Sequence, residues 1–505
     1  IGLHQPSNTP WDNYNFTRKE LLWIDEISKS KNTILTIFAK PYSLNKVLNI
    51  NTFKSVILSY QNDKIFQEKT AQMIFGSIPF NGVIPVSIVD EFKVGDGIKT
   101  SIINRLSYGL PESVNIDSRK LSRIDSIVKV SIDSMMTPGV QLLIAKNSKV
   151  IFDKSYGKLR YDKDNMVNST TKYDLASLTK ILVTLPLIMK LYDNNVLSID
   201  SKLGELLPSY KESNKSEFTI KEMLSHFAYF QAWIPFYKQT IDSTTGKLKS
   251  NLYRNNIDEN FSLKINNNIH LISTYKDTIL NQIKESELID ERYKYSDLPY
   301  IILQQYIEDY YSENLDNLSR KYFFNSIGAN SFMFNPANSI SIENIAPTEI
   351  DSYFRNQEVV GYVHDMAAAM LGGVSGHAGL FGNSNDVAKI MQMYIQNGNY
   401  GGIQYLKPET INTFNTCNYC SEGNRRGIGF DKPQLEDEGP TCGCVSMNSF
   451  GHSGWTGTYA WADPDEEIVY IFLSNRSYPN DPENKLLNYN IRTEIQRLLY
   501  ESINR

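Results

Sequence analysis

Hydrophobic and polar positions change period several times along this chain, and the changes mark its elements. TRKELLWIDEISKS, residues 17–30, has the spacing of an amphipathic helix, and NTILTIFAK, residues 32–40, reads as a buried strand. KSVILSYQ predicts a second strand and DKIFQEKTAQMIFG a second helix, after which FGSIPFNGVIPVSI closes the unit with Pro and Gly. Strands alternating with helices predict a parallel sheet covered by helices. The opening IGLHQPSNTPW reads as the end of a buried strand entering a loop, and the chain does not begin with Met. An upstream region carrying any export signal is therefore expected.

The texture changes after a polar, Gly-containing stretch, VGDGIKTSIINRLSYGLPESVNID. SRKLSRIDSIVKVSIDSMM predicts a helix, and TPGVQLLIAKNSKVIFDKSYGKLRY predicts two strands joined at Lys146-Asn147-Ser148. Far downstream, GWTGTYAWADPDEEIVYIFLSNRS predicts another strand pair with a Pro-Asp turn, and LNYNIRTEIQRLLYESI a terminal helix. A sheet built from both ends of its own chain around a mostly helical middle is an α/β architecture with an antiparallel sheet. The expected organisation is a first domain at 1–96, a linker at 97–118 and a second domain at 119–505. Residues 238–290, rich in Asn, Ser and Lys, read as a partly helical insertion.

Length and composition narrow the partners. At 505 residues the chain exceeds one compact core, and 41% hydrophobic and 21% charged residues are globular values. A net charge of -5 leaves no electrostatic footprint for nucleic acid, so a small or uncharged partner is expected. No apolar run approaches the roughly 20 residues of a membrane-spanning helix. Cys417, Cys420, Cys442 and Cys444 form a C-x-x-C followed by a C-x-C, compatible with disulfides, free thiols or structural zinc. No cofactor or catalytic metal is expected.

The chemistry begins in DLASLTKILVTLPLIMKLYD, residues 174–193, an apolar helix interrupted by Ser177 and Lys180. Three residues apart, they share a helix face within hydrogen-bonding reach. A hydroxyl at the positive end of the helix dipole, beside a lysine whose pKa burial lowers, is an activated nucleophile. Spacing alone is unspecific: Ser28/Lys31, Ser43/Lys46, Ser126/Lys129, Ser155/Lys158 and Ser169/Lys172 repeat it and read as solvated surface pairs. The structural reading of Ser177 as a cap and Lys180 as a snorkelling stem competes with the catalytic one. Tyr295-Ser296-Asp297 at the start of another apolar helix, and His452-Ser453-Gly454-Trp455 opening a strand, add candidates. A competing His377-Ala378-Gly379 lies in a Gly-rich loop before a helix.

In chain order Ser-x-x-Lys, Tyr-x-Asp and His-x-Gly strongly resemble the serine β-lactamase and penicillin-binding protein superfamily. Within it, residues 119–505 resemble the class C β-lactamase, D-alanyl-D-alanine peptidase and esterase branch. The resemblance implies Ser177 as acylated nucleophile, Lys180 and Tyr295 as proton carriers, and the backbone amides of Ser177 and Trp455 as the oxyanion site. It implies His452 as the group facing a substrate carboxylate or assisting the relay, and Asp297, Ser453, Gly454 and Trp455 as substrate-binding residues. Two departures stand out: Asp297 replaces the usual Asn, and SHFAYF lacks a glycine after His226. The expected activity is therefore a D-amino-acid peptidase or esterase acting on a small molecule or peptide, possibly muropeptide, more than β-lactam hydrolysis. The alternative is a non-catalytic module that binds peptidoglycan fragments. The first hundred residues resemble the C-terminal α/β domain of family 3 glycoside hydrolases, without that family's catalytic barrel. Such a fusion implies a periplasmic or otherwise extracytoplasmic setting behind an upstream glycosidase barrel.

Overall fold

The computed structural model describes residues 1–4, 11–88, 91–436, 439–480 and 483–504, so most of the predicted loop after the first strand lies outside the described residues. The chain divides into two compact units, Ile1–Ser107 and Tyr108–Arg505. The stretch 97–118 thus contributes to both.

In the first unit Thr17 and Glu20 form a reciprocal capping box that starts the helix Arg18–Ser30. The helix buries Leu21 and Ile24 in one core with Leu35 and Ile37 of the strand Ile34–Phe38. That strand is the middle of a parallel three-stranded sheet between Gly2–His4 and Ser55–Leu58. Asp63 caps the following helix, Lys64–Ile74, by accepting the Phe66 N–H. The parallel α/β reading of this region holds.

The second unit is organised by an antiparallel sheet. Five of its strands run in the order Phe450–Ser453, Tyr459–Asp463, Ile468–Ser474, Gly139–Lys146, Lys149–Gly157. The central strands pair Ile471 with Leu143 and Tyr470 with Ile144. Asn147 and Ser148 both take the left-handed conformation of a tight hairpin turn. On one face, Leu142, Ile144, Trp461 and Tyr470 share a core with Ile124 and Val128 of the helix Ile124–Asp133 and with Ile495 and Leu499 of Ile491–Glu501. The helix Ser384–Ile395 packs on the sheet strands as well.

Three elements differ from the sequence reading. The helix expected over 118–136 is two, Ser118–Leu121 and Ile124–Asp133. Between them the Arg123 N–H turns to Lys120 O, while the Ser122 hydroxyl takes Arg119 O, tightening one turn. The insertion carries a helix, Tyr275–Glu285, and also a small antiparallel sheet of Tyr253–Arg254, Leu263–Asn266 and Ile269–Leu271. The cysteines form disulfides Cys417–Cys420 and Cys442–Cys444, which leaves their thiols neither free nor available to zinc. No helix among the described residues is long and apolar enough to cross a membrane.

Ile144 is fully buried between two strands and two helices. Ile144→Ala should destabilise this unit by about 2–5 kcal/mol through lost burial and a residual cavity. Chemical denaturation of the variant beside the parent protein checks this.

Candidate active site

Ser177 directly precedes helical turns that begin at residue 178 and contain a π-type stretch, Lys180–Thr184, before Leu185–Asp193. The turn that presents it is fixed from below. Asp174 ends a short strand paired with Leu380–Gly382, and its buried carboxylate accepts the Ala176 N–H at 2.9 Å and the His364 N–H at 2.7 Å. Ala176 sits at φ 47°, a conformation costly for a residue with a Cβ, so the surrounding contacts hold the turn in place.

The strand bearing His452 is stitched to the same turn. Thr456 Oγ1 donates to Asp174 O and Thr458 Oγ1 to Leu175 O. Gly454 lies where a Cβ would come within 2.1 Å of Thr458 Oγ1 and 2.8 Å of Leu175 O. The glycine therefore admits this turn of the protein itself. Among the described residues, the backbone N–H groups of Ser177 and Trp455 make no hydrogen bond.

Three of the predicted side chains meet at one oxygen. Tyr295 Oη donates to Ser177 Oγ at 2.9 Å, and Lys180 Nζ donates to the same atom at 3.0 Å. Lys180 is fully buried, and its other polar neighbours are His377 O at 3.0 Å and Asp297 Oδ1 at 2.6 Å. Of the three N–H donors of an ammonium, two are hydrogen-bonded, to Ser177 Oγ and His377 O, and the charge is paired with Asp297. Burial alone would lower the lysine pKa, as the sequence predicted. The Asp297 carboxylate and Tyr295 outweigh that term and hold Lys180 above its ordinary value. The expected neutral lysine is thus corrected by a partner 117 positions away in sequence.

His452 lines the same cleft as Ser177. Its Nδ1 lies 2.7 Å from Ser453 O, an acceptor only, so Nδ1 carries the proton and Nε2 faces Arg426 Nη1 at 3.4 Å. Burial, with Arg426 and Lys180 nearby, pushes His452 down to about 3. Beside His452 the positive charge is that of Arg426, one of several arginines lining the cleft, which the sequence reading missed. Arg426 is buried, 3.5 Å from Asp431, and 5.2 Å from the Tyr295 ring. Its only sequence signal is the Arg425-Arg426 pair in the polar stretch between the cysteine pairs.

His226 supports Tyr295 from behind. It takes a left-handed φ of 56°, accepts the Ser296 N–H at Nδ1, and its ring lies 4.5 Å from the Tyr295 ring at a tilt of 43°. The His377 set aside in the sequence belongs to the site through its main chain. Its ring is held between Asp365 Oδ1 and Ser375 Oγ, each at 2.8 Å. Asp297, Asp365 and His377 bring one ligand-type atom each within 4.8 Å of one another. Those atoms already serve Lys180 and each other, which makes the group an ion-pair network. Of the other Ser-x-x-Lys pairs, Ser28, Ser43 and Lys172 are buried and not solvated. Lys172 donates to Ser331 O and Ser28 to Asp25 O, both structural bonds.

Ser177, Tyr295, Asp297, Arg426 and His452 line a cleft of about 980 Å³. Trp233, Tyr353, Met366, Tyr459 and Arg492 also line it. Ser453 borders it, and Trp455, 63% exposed, stands at its mouth with the Arg476 guanidinium 4.9 Å from its ring.

Because His452 takes up its proton only near pH 3 in the folded protein, against about 6.5 unfolded, the unfolded chain binds more protons across that interval. Stability should accordingly fall as pH drops from 6.5 towards 3, and His452→Gln should flatten that slope. Denaturant midpoints measured across the range check the sign, and imidazole NMR should show the Nδ1–H tautomer at pH 6.

The sequence profile of the family described as Beta-lactamase matches residues 124–492. A protein of Salmonella enteritidis PT4 named "Putative D-alanyl-D-alanine carboxypeptidase" is 28% identical over 406 residues, covering 75% of this chain and 87% of its own. Solved structures with the same fold include a hydrolase with promiscuous acyltransferase activity, EstCE1, at TM-score 0.55 and 18% identity, covering 76% of this chain and 99% of that one. A family VIII carboxylesterase matches at TM-score 0.52 and 14% identity, covering 77% and 98% respectively. With most of its second unit matched by the profile, the chain belongs to the Beta-lactamase family.

Proposed function

We propose that this protein is a serine hydrolase that works through an acyl-enzyme on Ser177, acting as a D-amino-acid peptidase or esterase on cell-wall-derived or related small substrates. The observation that carries the proposal is the convergence of Tyr295 Oη and Lys180 Nζ on Ser177 Oγ. Ser177 Oγ attacks the substrate carbonyl as its proton passes to the Lys180–Tyr295 pair. The carbonyl oxygen becomes an oxyanion facing the free N–H groups of Ser177 and Trp455, where each donor is worth about 3 kcal/mol of barrier. The pair then returns the proton to the leaving group, and water releases the acyl group by the same steps in reverse order.

Arg426 gives this reading a substrate preference. With His452 neutral, the buried guanidinium is the cation placed to meet an anionic group, such as the terminal carboxylate of a peptide. The carboxypeptidase name of the Salmonella relatives supports the peptidase branch, and the carboxylesterase fold neighbour supports the ester branch. The two disulfides support an extracytoplasmic location. The parallel sheet of the first unit supports its reading as a glycosidase-fusion module, for which muropeptide would be a fitting substrate.

Intact mass after incubation with a fluorophosphonate, and separately with a penicillin, tests the nucleophile. An adduct should form and vanish in Ser177→Ala, while Lys180→Ala should slow acylation by about 10²–10⁴-fold. Folded protein that no probe acylates would instead favour a peptidoglycan-binding module. Arg426→Gln should raise KM by about ten- to a hundred-fold for substrates ending in a free carboxylate, the cost of a charged hydrogen bond. Neutral esters of the same acyl group should show far less change in steady-state assays.

A further inference from the structure

We infer that Arg492 forms a second anionic subsite in the cleft, so that the preferred substrate carries a carboxylate for Arg492 in addition to the one that meets Arg426. The inference rests on the acyl-enzyme reading of Ser177 and narrows its substrate class.

Four arginines among the described residues line the cleft, and three of them are engaged within the protein. Arg425 and Arg426 both pair with Asp431, at 2.8 and 3.5 Å. Arg476 donates from Nε to Trp455 O at 2.8 Å and lies against the Trp455 ring. Arg492 pairs with no carboxylate among the described residues. Its guanidinium makes one hydrogen bond there, 3.4 Å from Nη1 to Thr458 O, and sits 5.5 Å from the Tyr459 ring. A guanidinium keeps its charge and carries five N–H donors, so most of them are left for a ligand in the cleft.

The neighbouring phenols supply no counterion. The Tyr459 hydroxyl donates to Pro440 O at 3.0 Å and the Tyr470 hydroxyl to the main-chain O of Arg492 at 3.1 Å. Burial holds both phenols protonated. Burial also brings Arg492 below the ordinary arginine value, whereas in Arg426 the same burial is outweighed by Asp431 and the shift is upward. Desolvating a cation without a counterion is costly, and an anionic group on the ligand offsets that cost.

The bond to Thr458 O locates the subsite against the chemistry. The same oxygen accepts the Gly454 N–H at 2.8 Å, one residue before the Trp455 N–H assigned to the oxyanion. Thr458 Oγ1 in turn donates to Leu175 O, two residues before Ser177. Arg492 thus stands beside the strand that would hold the scissile carbonyl. Arg426 is held elsewhere, by Asp431 and beside the His452 and Tyr295 rings. Two guanidinium groups on separate elements, one neutralised and one not, suit a ligand with two carboxylates.

Binding to Ser177→Ala, which cannot be acylated, reads this subsite apart from the chemistry. In calorimetry N-acetyl-D-alanyl-D-glutamate, with two carboxylates, should bind about ten- to a hundred-fold more tightly than N-acetyl-D-alanyl-D-glutamine, the range of a charge-assisted hydrogen bond. Arg492→Gln in that background should abolish the preference and leave affinity for the glutamine peptide unchanged. Equal affinity for the two peptides, no binding of either, or a preference that survives Arg492→Gln overturns this inference. Acylation of Ser177 in the parent protein is read separately: a parent that no acylating probe labels overturns the acyl-enzyme reading whatever the peptides do. Should Arg492→Gln not fold, a crystal structure of Ser177→Ala with the glutamate peptide decides: a carboxylate on the Arg492 guanidinium is expected, and both carboxylates bound elsewhere overturn the inference.

Discussion

A lysine with no exposed surface is the constraint around which the second unit is arranged. Burying an ammonium is costly unless every N–H has an acceptor and the charge has a counterion. Three separate segments answer that cost: the Ser177 turn and the carbonyl of His377 as hydrogen-bond acceptors, and Asp297 as the counterion. Each is held in turn by a buried neighbour. Asp174 pins the first, and the Asp365–Ser375 grip on the imidazole pins the second. The segment around the third is tied by Ser296 N to His226 and by Asp297 N to Ala232 O. The chemistry assigned to Ser177 thus sits on a requirement of folding: wherever Lys180 is satisfied, Ser177 and Tyr295 are already within reach of each other.

What the sequence displayed was whatever repeats locally or stands beside an apolar run. Ser177 and Lys180 share a helix face, Tyr295 opens another helix and His452 sits in a strand, so spacing and order placed them. The two-ended sheet was legible for the same reason, since the strands at 139–157 and 459–474 carry unbroken β patterns. Asp174 left no such trace because its partners are backbone N–H groups, and Arg426 left none because it and Asp431 lie in a polar stretch with no periodic pattern. His377 acts through a carbonyl, which any residue could supply, so its side chain misdirected attention to ring chemistry.

One misreading and one open question concern charge, and they share a cause. Burial was used to predict a neutral Lys180, and the nearness of a carboxylate-reading role left His452 open. For Lys180 desolvation is opposed by a carboxylate at 2.6 Å and loses; for His452 desolvation is reinforced by a guanidinium and prevails. The sign of a buried group's charge depends on its nearest ion, and no local sequence pattern carries that information.

The two-ended sheet also sets an order of events. The strand Gly139–Lys146 is joined by a hairpin to Lys149–Gly157, yet its other edge pairs with Ile468–Ser474, more than three hundred residues later. During synthesis that edge emerges long before its partner, with open hydrogen-bonding groups flanked by buried-type side chains, so it is exposed to mispairing. The strand bearing His452 and Gly454 reaches the Ser177 turn only when the C-terminal strands arrive. The nascent chain therefore carries its serine and lysine for most of its synthesis without the half of the cleft that would make them reactive.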